Sequence, residues 1–293
     1  MTHPDLTCRL ATLQLHPVKS CASVALQEAW LTATGLDLDR AWMVVDEDGE
    51  MLTQRELPAL ALVTASPRLG EVVLRAPGML ALHLRDDVVE APCRVRVWDD
   101  EVPAFEMGAL AAQWFSDYLA PHLGRASKRL RLVRFDPDHP RLSPRRWTGA
   151  IDAPNLFSDG YPLLVASTAS LDDLNRRLAE RGAAPVTMQR FRPNLVLDGL
   201  QPWDEDHLDE LRLDTEQGPV RLKLVKPCVR CQMPNVDPAT AAVGPEPGAT
   251  LAGFRADPRL DGGITFGVNA IVAEGPEAAL LRCGMPVQAR WRF

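Results

Sequence analysis

The chain has 293 residues, 46% hydrophobic and 24% charged, and carries a formal charge of −7 at pH 7. That length suits two domains, each able to bury a core without staples. Acidic and basic residues are interspersed, so no broad positive field exists to draw a nucleic-acid backbone, which argues against nucleic acid as a partner. Six cysteines, at positions 8, 21, 93, 228, 231 and 283, are too sparse for the staples of a small secreted domain, so reduced thiols are expected. No window approaches the ~18 apolar residues of a membrane helix, and the first residues lack a basic-then-apolar leader. The expectation is a soluble, cytoplasmic protein without membrane contact.

Over residues 8–16, Ala11, Leu13 and Leu15 alternate with polar neighbours, as a half-buried strand requires. Pro17 stops the ladder and leaves Lys19 and Ser20 together just past its end, a pair able to hold an anion; a solvated loop lysine is the plainer reading. Strands are predicted at 24–32 and 40–46. The second begins at Arg40 and runs through the turn Asp46-Glu47-Asp48-Gly49 towards Met51, as a hairpin. Further short strands at 60–66, 71–75, 80–84 and 94–98 favour a barrel-like or sandwich-like sheet. From Glu106, the residues Leu110, Trp114, Phe115, Tyr118 and Leu119 recur at helical spacing and Gly124 offers a left-handed stop. The aromatic stripe reads as core packing. Arg125, Lys128, Arg129, Arg131 and Arg134 make the next stretch basic, and a domain boundary is placed around 120–130.

In the second half, residues 154–162 are turn-rich and 163–166 form an apolar run suited to a buried strand. A helix follows, capped by Ser170, with Leu171, Leu174 and Leu178 as its buried stripe and Arg181-Gly182 as its end. Arg192 stands at the entry to a strand at 195–197, where an arginine serves either a site or a salt bridge. Strands at 221–225, 264–273 and 287–293 complete the pattern; Asn269 lies inside an apolar run and needs hydrogen-bonding partners. No internal repeat and no Gly-rich phosphate loop is present.

The densest chemistry lies in Lys226-Pro227-Cys228-Val229-Arg230-Cys231, on the loop expected after the 221–225 strand. A thiolate binds metal, and a neighbouring guanidinium eases its formation. One Cys-x-x-Cys is also compatible with a structural zinc site, a thioredoxin-like redox pair or two unremarkable buried cysteines. Zinc needs two further ligands, yet the six histidines are scattered, and Pro234 and Pro238 leave little room for the helix of a redox pair.

Taken together, six ordered motifs carry a resemblance. They are His16-Pro17-Val18-Lys19-Ser20-Cys21; Leu38-Asp39-Arg40-Ala41-Trp42-Met43-Val44; Phe157-Ser158-Asp159-Gly160; Ser170-Leu171-Asp172-Asp173-Leu174-Asn175; Phe191-Arg192-Pro193-Asn194; and Cys228-Val229-Arg230-Cys231 with Val236-Asp237-Pro238. The chain resembles the two-domain MOSC proteins of the amidoxime-reducing kind over nearly its whole length. The resemblance implies a β-rich, mixed α+β fold with few helices: a MOSC N-terminal β-barrel domain over residues 6–123 packed on a MOSC β-barrel domain over 124–293. It also implies a molybdenum–molybdopterin cofactor held between them. By position, Cys231 would be the metal ligand and catalytic residue, with Cys228 accessory or incidental. Lys19, Ser20, Arg40, Asp159, Gly160, Arg192, Val229, Arg230 and Asn269 would bind the cofactor. Lysine, a hydroxyl and planar arginine forks suit a phosphate, and thiolate suits a sulfur-rich metal.

The activity so implied is reduction of N-hydroxylated compounds such as amidoximes and hydroxylamines. The chain ends at Phe293 without a ferredoxin-type cysteine cluster, so electrons are expected from a separate ferredoxin or cytochrome and its reductase. It also lacks the pyridoxal-phosphate-dependent domain of full-length cofactor sulfurases. The alternative is a non-catalytic carrier of molybdenum cofactor or sulfur.

Overall fold

The computed structural model describes residues 4–123 and 129–292. Its organising element is the first strand, Leu6–Leu15, which does not stay with its sequence neighbours. It lies between Leu195–Asp198 and Pro286–Trp291, antiparallel to both. From Pro286–Trp291 the ladder continues through Leu208–Thr215, Gly218–Val229 and Gly263–Glu274. Gly263–Glu274 then pairs with Leu163–Ser167, which runs parallel to Leu195–Asp198 and closes a seven-strand barrel. Closure leaves no edge strand among the seven to recruit another chain. Leu10, Leu13, Val165, Leu197, Leu211, Leu222, Val268 and Ala289 fill its core. At Gly267, φ is +73°, and a Cβ would come within 2.7 Å of the Val165 carbonyl oxygen, so only glycine permits the closing contact.

The rest of the first half forms a four-stranded sheet in the order Trp42–Val45, Arg131–Phe135, Asp100–Glu106 and Pro92–Val97, and a smaller sheet of Thr64–Arg68, Glu71–Arg75 and Leu82–Arg85. Helix Ala109–Leu119 buries Trp114, Phe115, Tyr118 and Leu119, so its aromatic stripe is core, as its spacing implied. The β-rich fold expected from the sequence is the one observed.

Several local expectations change. The helix capped by Ser170 in the sequence reading starts one turn earlier, at Thr168. Ser167 is the cap: its side chain accepts the Ser170 backbone N–H, and a buried Glu205 holds both hydroxyls. Residues 58–62 form a 3₁₀ turn rather than the start of a strand, because Pro58 presets a helical φ where no N–H is needed. The 24–32 strand divides at Gln27: Val24–Leu26 pairs with the first strand, and Glu28–Thr32 with Ala279–Arg282. The hairpin at 46–53 is short: Val45 bridges Met51, and backbone bonds run from Asp46 N–H to the Glu50 carbonyl and from Leu52 N–H to the Val44 carbonyl, both at 3.0 Å, while the other edge of Trp42–Val45 pairs with Arg131–Phe135. The proposed stop at Gly124, the basic residues Arg125 and Lys128, and Phe293 lie outside the described residues, as does part of the placed boundary. Among the described residues, no helix is long and apolar enough to cross a membrane.

Candidate functional site

Because the first strand enters the barrel of the second half, its exit delivers Lys19 and Ser20 to the barrel rim. There they meet the loop after the long strand Gly218–Val229 around a cavity of about 220 Å³. Lys19, Ser20, Arg40, Asp159, Gly160, Arg192, Val229, Arg230, Cys231 and Asn269 all line it, as does Cys228. The ten residues singled out in the sequence are therefore brought together from six separate segments. Cys228 and Val229 belong to the strand's last turn of ladder rather than to the following loop.

Buried Lys19 donates from Nζ to the Phe157 carbonyl at 2.8 Å and to Asp159 Oδ1. Burial pulls the Lys19 pKa down and Asp159 opposes it. Burial also acts to raise the Asp159 carboxyl, but the Lys19 ammonium and hydrogen bonds from Lys19 and Trp98 outweigh it and hold Asp159 well below the usual carboxylate range. Arg40 spans both halves: Nη1 donates to Asp39 and to Asn194 Oδ1 (3.0 Å), and Nη2 to the Arg192 carbonyl (3.0 Å). Asn194 is itself fixed, since its Oδ1 also accepts the Leu164 N–H at 3.1 Å.

Beneath Arg40 lies a fully buried pair, His16 and Asp39. Asp39 accepts the His16 backbone N–H at 2.8 Å. Burial would raise its carboxyl, yet the Arg40 guanidinium foremost brings it down to about 2. The His16 ring is held neutral by burial and by the Arg40 and Arg192 guanidinium groups; its Nδ1 sits 3.5 Å from Asp39 and neither ring nitrogen makes a hydrogen bond.

Arg192 sits at φ +57°, and its Nη1 donates to the Cys21 carbonyl. Its buried Nη2 has no protein acceptor, and burial with repulsion from Arg40 lowers its pKa to about 10. Gly160 presents open space, for a Cβ there would meet no atom within 4 Å. Asn269 is half-buried and satisfies its amide on the Lys226 carbonyl at 3.2 Å. Val229 is exposed and leans on Gly263, whose Cβ would lie 2.9 Å from the valine methyl.

The two sulfurs differ. Arg230 donates from Nη1 to Cys228 Sγ at 3.0 Å and from Nη2 to the Phe191 carbonyl at 2.9 Å, so the arginine serves Cys228 and not Cys231. Cys231 is exposed, with only the Met233 N–H near its sulfur, at 3.5 Å. Among the described residues, no three His, Cys, Asp or Glu side chains cluster as a closed metal site.

Several contributors had no sequence signal of their own. Arg55, Trp98 and Tyr161 line the cavity, as does Lys226 from the cysteine-bearing stretch. Arg141 does not line it but builds it: its Nη1 donates to Asn155 Oδ1 and to the Leu156 and Ser158 carbonyls at 2.6–2.8 Å, fixing the loop that carries Asp159. Six cations (Lys19, Arg40, Arg55, Arg192, Lys226 and Arg230) face a single carboxylate, Asp159. Such a wall favours an anionic ligand, with thiols alongside for a soft metal.

Residues 7–122 match the MOSC N-terminal beta barrel domain and residues 152–288 the MOSC domain. Human mitochondrial amidoxime-reducing component 1 is 36% identical over 258 residues, covering 84% of this chain and 72% of that protein. The chain belongs to the MOSC-domain family. Human mitochondrial amidoxime reducing component 2 is 33% identical over 255 residues, with the same 84% and 72% coverage. A crystal structure of the YUAD protein from Bacillus subtilis covers 98% of each chain at 10% identity and a TM-score of 0.40, a likeness too slight to inform the site. Within this MOSC chain the cavity lies where the two matched regions meet, since Lys19, Ser20 and Arg40 fall in the first and Asp159, Arg192 and Cys231 in the second.

Proposed function

We propose that the cavity holds a molybdenum–molybdopterin cofactor and that the protein reduces N-hydroxylated compounds of the amidoxime or hydroxylamine type. The observation that carries this is the pairing of six cations with an exposed thiol in one cavity of a MOSC chain. The donor set suits the group. Arg192 Nη2 is a buried donor without an acceptor, Arg40 lies beside it, and Lys19 and Ser20 line the same cavity. Together they match a phosphate, which accepts several charge-assisted hydrogen bonds at once. Gly160 leaves room for close approach, and Asp159, Val229, Arg230 and Asn269 offer hydrogen-bonding or backbone edges to a pterin ring.

Cys231 is the metal ligand in this reading. Its sulfur is exposed and lightly engaged, whereas Cys228 Sγ is occupied by Arg230. Arg230 then keeps Cys228 and the Phe191 carbonyl in register and so fixes the strand end from which Cys231 projects. When bound, molybdenum supplies the two-electron oxygen-accepting centre. The reaction joins R–N–OH, two electrons and two protons to give R–NH and water, with the electrons from a separate ferredoxin- or cytochrome-type protein and its reductase.

Metal analysis of protein made in a host that synthesises the cofactor, followed by amidoxime reduction with an artificial electron donor, tests the reading. Molybdenum with turnover is expected. Molybdenum without turnover would make the chain a cofactor or sulfur carrier, and one zinc per chain would overturn both.

A further inference from the structure

Three aromatic side chains line the cavity, and they are not equivalent. Phe191 is buried and stacked on Phe266 at 3.7 Å between centroids. Tyr161 is half-buried with its hydroxyl sealed from solvent. Trp98 keeps 43% of its surface exposed. It occupies the turn between strands Pro92–Val97 and Asp100–Glu106 with φ +55°, a conformation that is unfavourable for a bulky residue unless its surroundings enforce it.

Those surroundings are visible. The indole Nε1 donates to Asp159 Oδ1 at 3.1 Å. The Arg55 guanidinium lies 4.3 Å from the ring centroid and is steadied by its own Nε, which donates to Thr53 Oγ1 at 3.1 Å. Two residues on, Asp100 accepts from Arg141 Nε at 2.9 Å, and the same arginine donates to the Ser158 carbonyl at 2.7 Å. The hairpin tip and the Asp159 loop are thus clamped by one side chain. An indole kept for packing would be buried, and one on an idle turn would be loose; this one is held on its edge and by a cation, yet remains bare.

We propose that Trp98, backed by Arg55, is the substrate-facing wall of the cavity and selects flat, conjugated N-hydroxylated compounds over aliphatic ones. The inference rests on the reductase reading for its substrate class. Its physical basis is stacking: a ring with a fixed plane offers a flat ligand contact area without losing rotamer freedom on binding. Of the other apolar lining residues, Phe191 is buried against Phe266, Tyr161 is half-buried, and Leu163, Leu164, Val229 and Met233 carry no ring, so none offers a conjugated body a comparably exposed face.

The test uses cofactor-loaded full-length protein and two probes, benzamidoxime and acetamidoxime, titrated by calorimetry and then assayed with an artificial electron donor. Benzamidoxime should bind at least about tenfold more tightly than acetamidoxime. Trp98→Ala should weaken benzamidoxime by about 3- to 10-fold and raise its KM in step, while shifting acetamidoxime less than twofold. Trp98→Phe keeps a ring face but not the N–H to Asp159, and should retain most of the preference. Molybdenum per chain is measured in each variant. A wild-type preference near unity, an equal shift for both probes, or a Phe variant no better than Ala would overturn the assignment. Loss of molybdenum from both variants would also overturn it, by making Trp98 a cofactor-holding residue. Selective binding of benzamidoxime without reduction of either probe would sustain the wall and refute the reductase reading instead.

Discussion

His16 gives the protein a calculable sensitivity to acid. Its ring is fully buried, makes no hydrogen bond through either nitrogen, and faces the Arg40 and Arg192 cations, with Asp39 as the opposing charge. Burial first, and the two guanidinium groups next, push its pKa well below the usual histidine value. As pH falls through about 6.5 the unfolded chain takes up a proton that the folded chain refuses, so stability drops with pH. Between pH 7.5 and 5.5 the unfolded-state histidine goes from about a tenth to about nine-tenths protonated, which removes about 1.4 kcal/mol. The window belongs to His16 alone of this pair, because Asp39, held at about 2, gives up its own contribution only as pH falls from near 4 towards 2. His16→Leu isolates the effect: it keeps the backbone N–H that donates to Asp39 and the carbonyl that accepts from Arg40, and it replaces two unpaired ring nitrogens with a side chain of similar size. Urea unfolding of both proteins at the two pH values is the assay. The wild-type-minus-variant stability should change by about 1.4 kcal/mol in the direction that favours the variant in acid. An offset that stays constant with pH would refute the reasoning.

Other outcomes follow from the same geometry. Cys231→Ser should lose at least about tenfold in bound molybdenum and in turnover, while Cys228→Ser keeps most of both; the reverse result would move the ligand to the sulfur that Arg230 contacts. Lys19→Ala and Arg40→Ala should each weaken cofactor retention, read as molybdenum remaining after gel filtration, and full retention in both would exclude a site built from both halves. Arg141→Met should cost roughly 3 kcal/mol or more in urea unfolding, because it strips donors from Asn155, Leu156 and Ser158 at a buried position; a loss under 1 kcal/mol would show that the loop is held by something else.

The pattern of success and failure in the sequence has physical causes. The first strand was legible because one of its faces is buried and its side chains alternate; its neighbours were not, because partner choice is set by the whole barrel. Strand Leu208–Thr215 escaped because the register shifts between Leu208 and Glu210, which places Asp209 and Glu210 together and breaks the period of two before Leu211 and Leu213 resume it. Strand Arg131–Phe135 was hidden in a run of basic residues that reads as a linker, although Leu132, Val133 and Phe135 are buried. Ser167 and Ser170 both suit a helix cap, and only the acceptor role of the Ser167 hydroxyl separates them.

Within the site, the motif residues could be listed but not placed. Arg55, Trp98 and Arg141 belong to no motif and act by proximity across the chain, which a linear pattern does not encode. Each gains its meaning from one topological fact: a strand of the first half is a stave of the second half's barrel. The peptide that leaves that stave must cross the barrel mouth, so Lys19 and Ser20 arrive there with Arg40 behind them, and the hairpin carrying Trp98 is drawn over the opening by Asp159 and Arg141. Neither half encloses the cavity alone. Contacts that join the halves, above all Arg40 to Asn194 and to the Arg192 carbonyl, are therefore as much a part of the site as the sulfur at its wall.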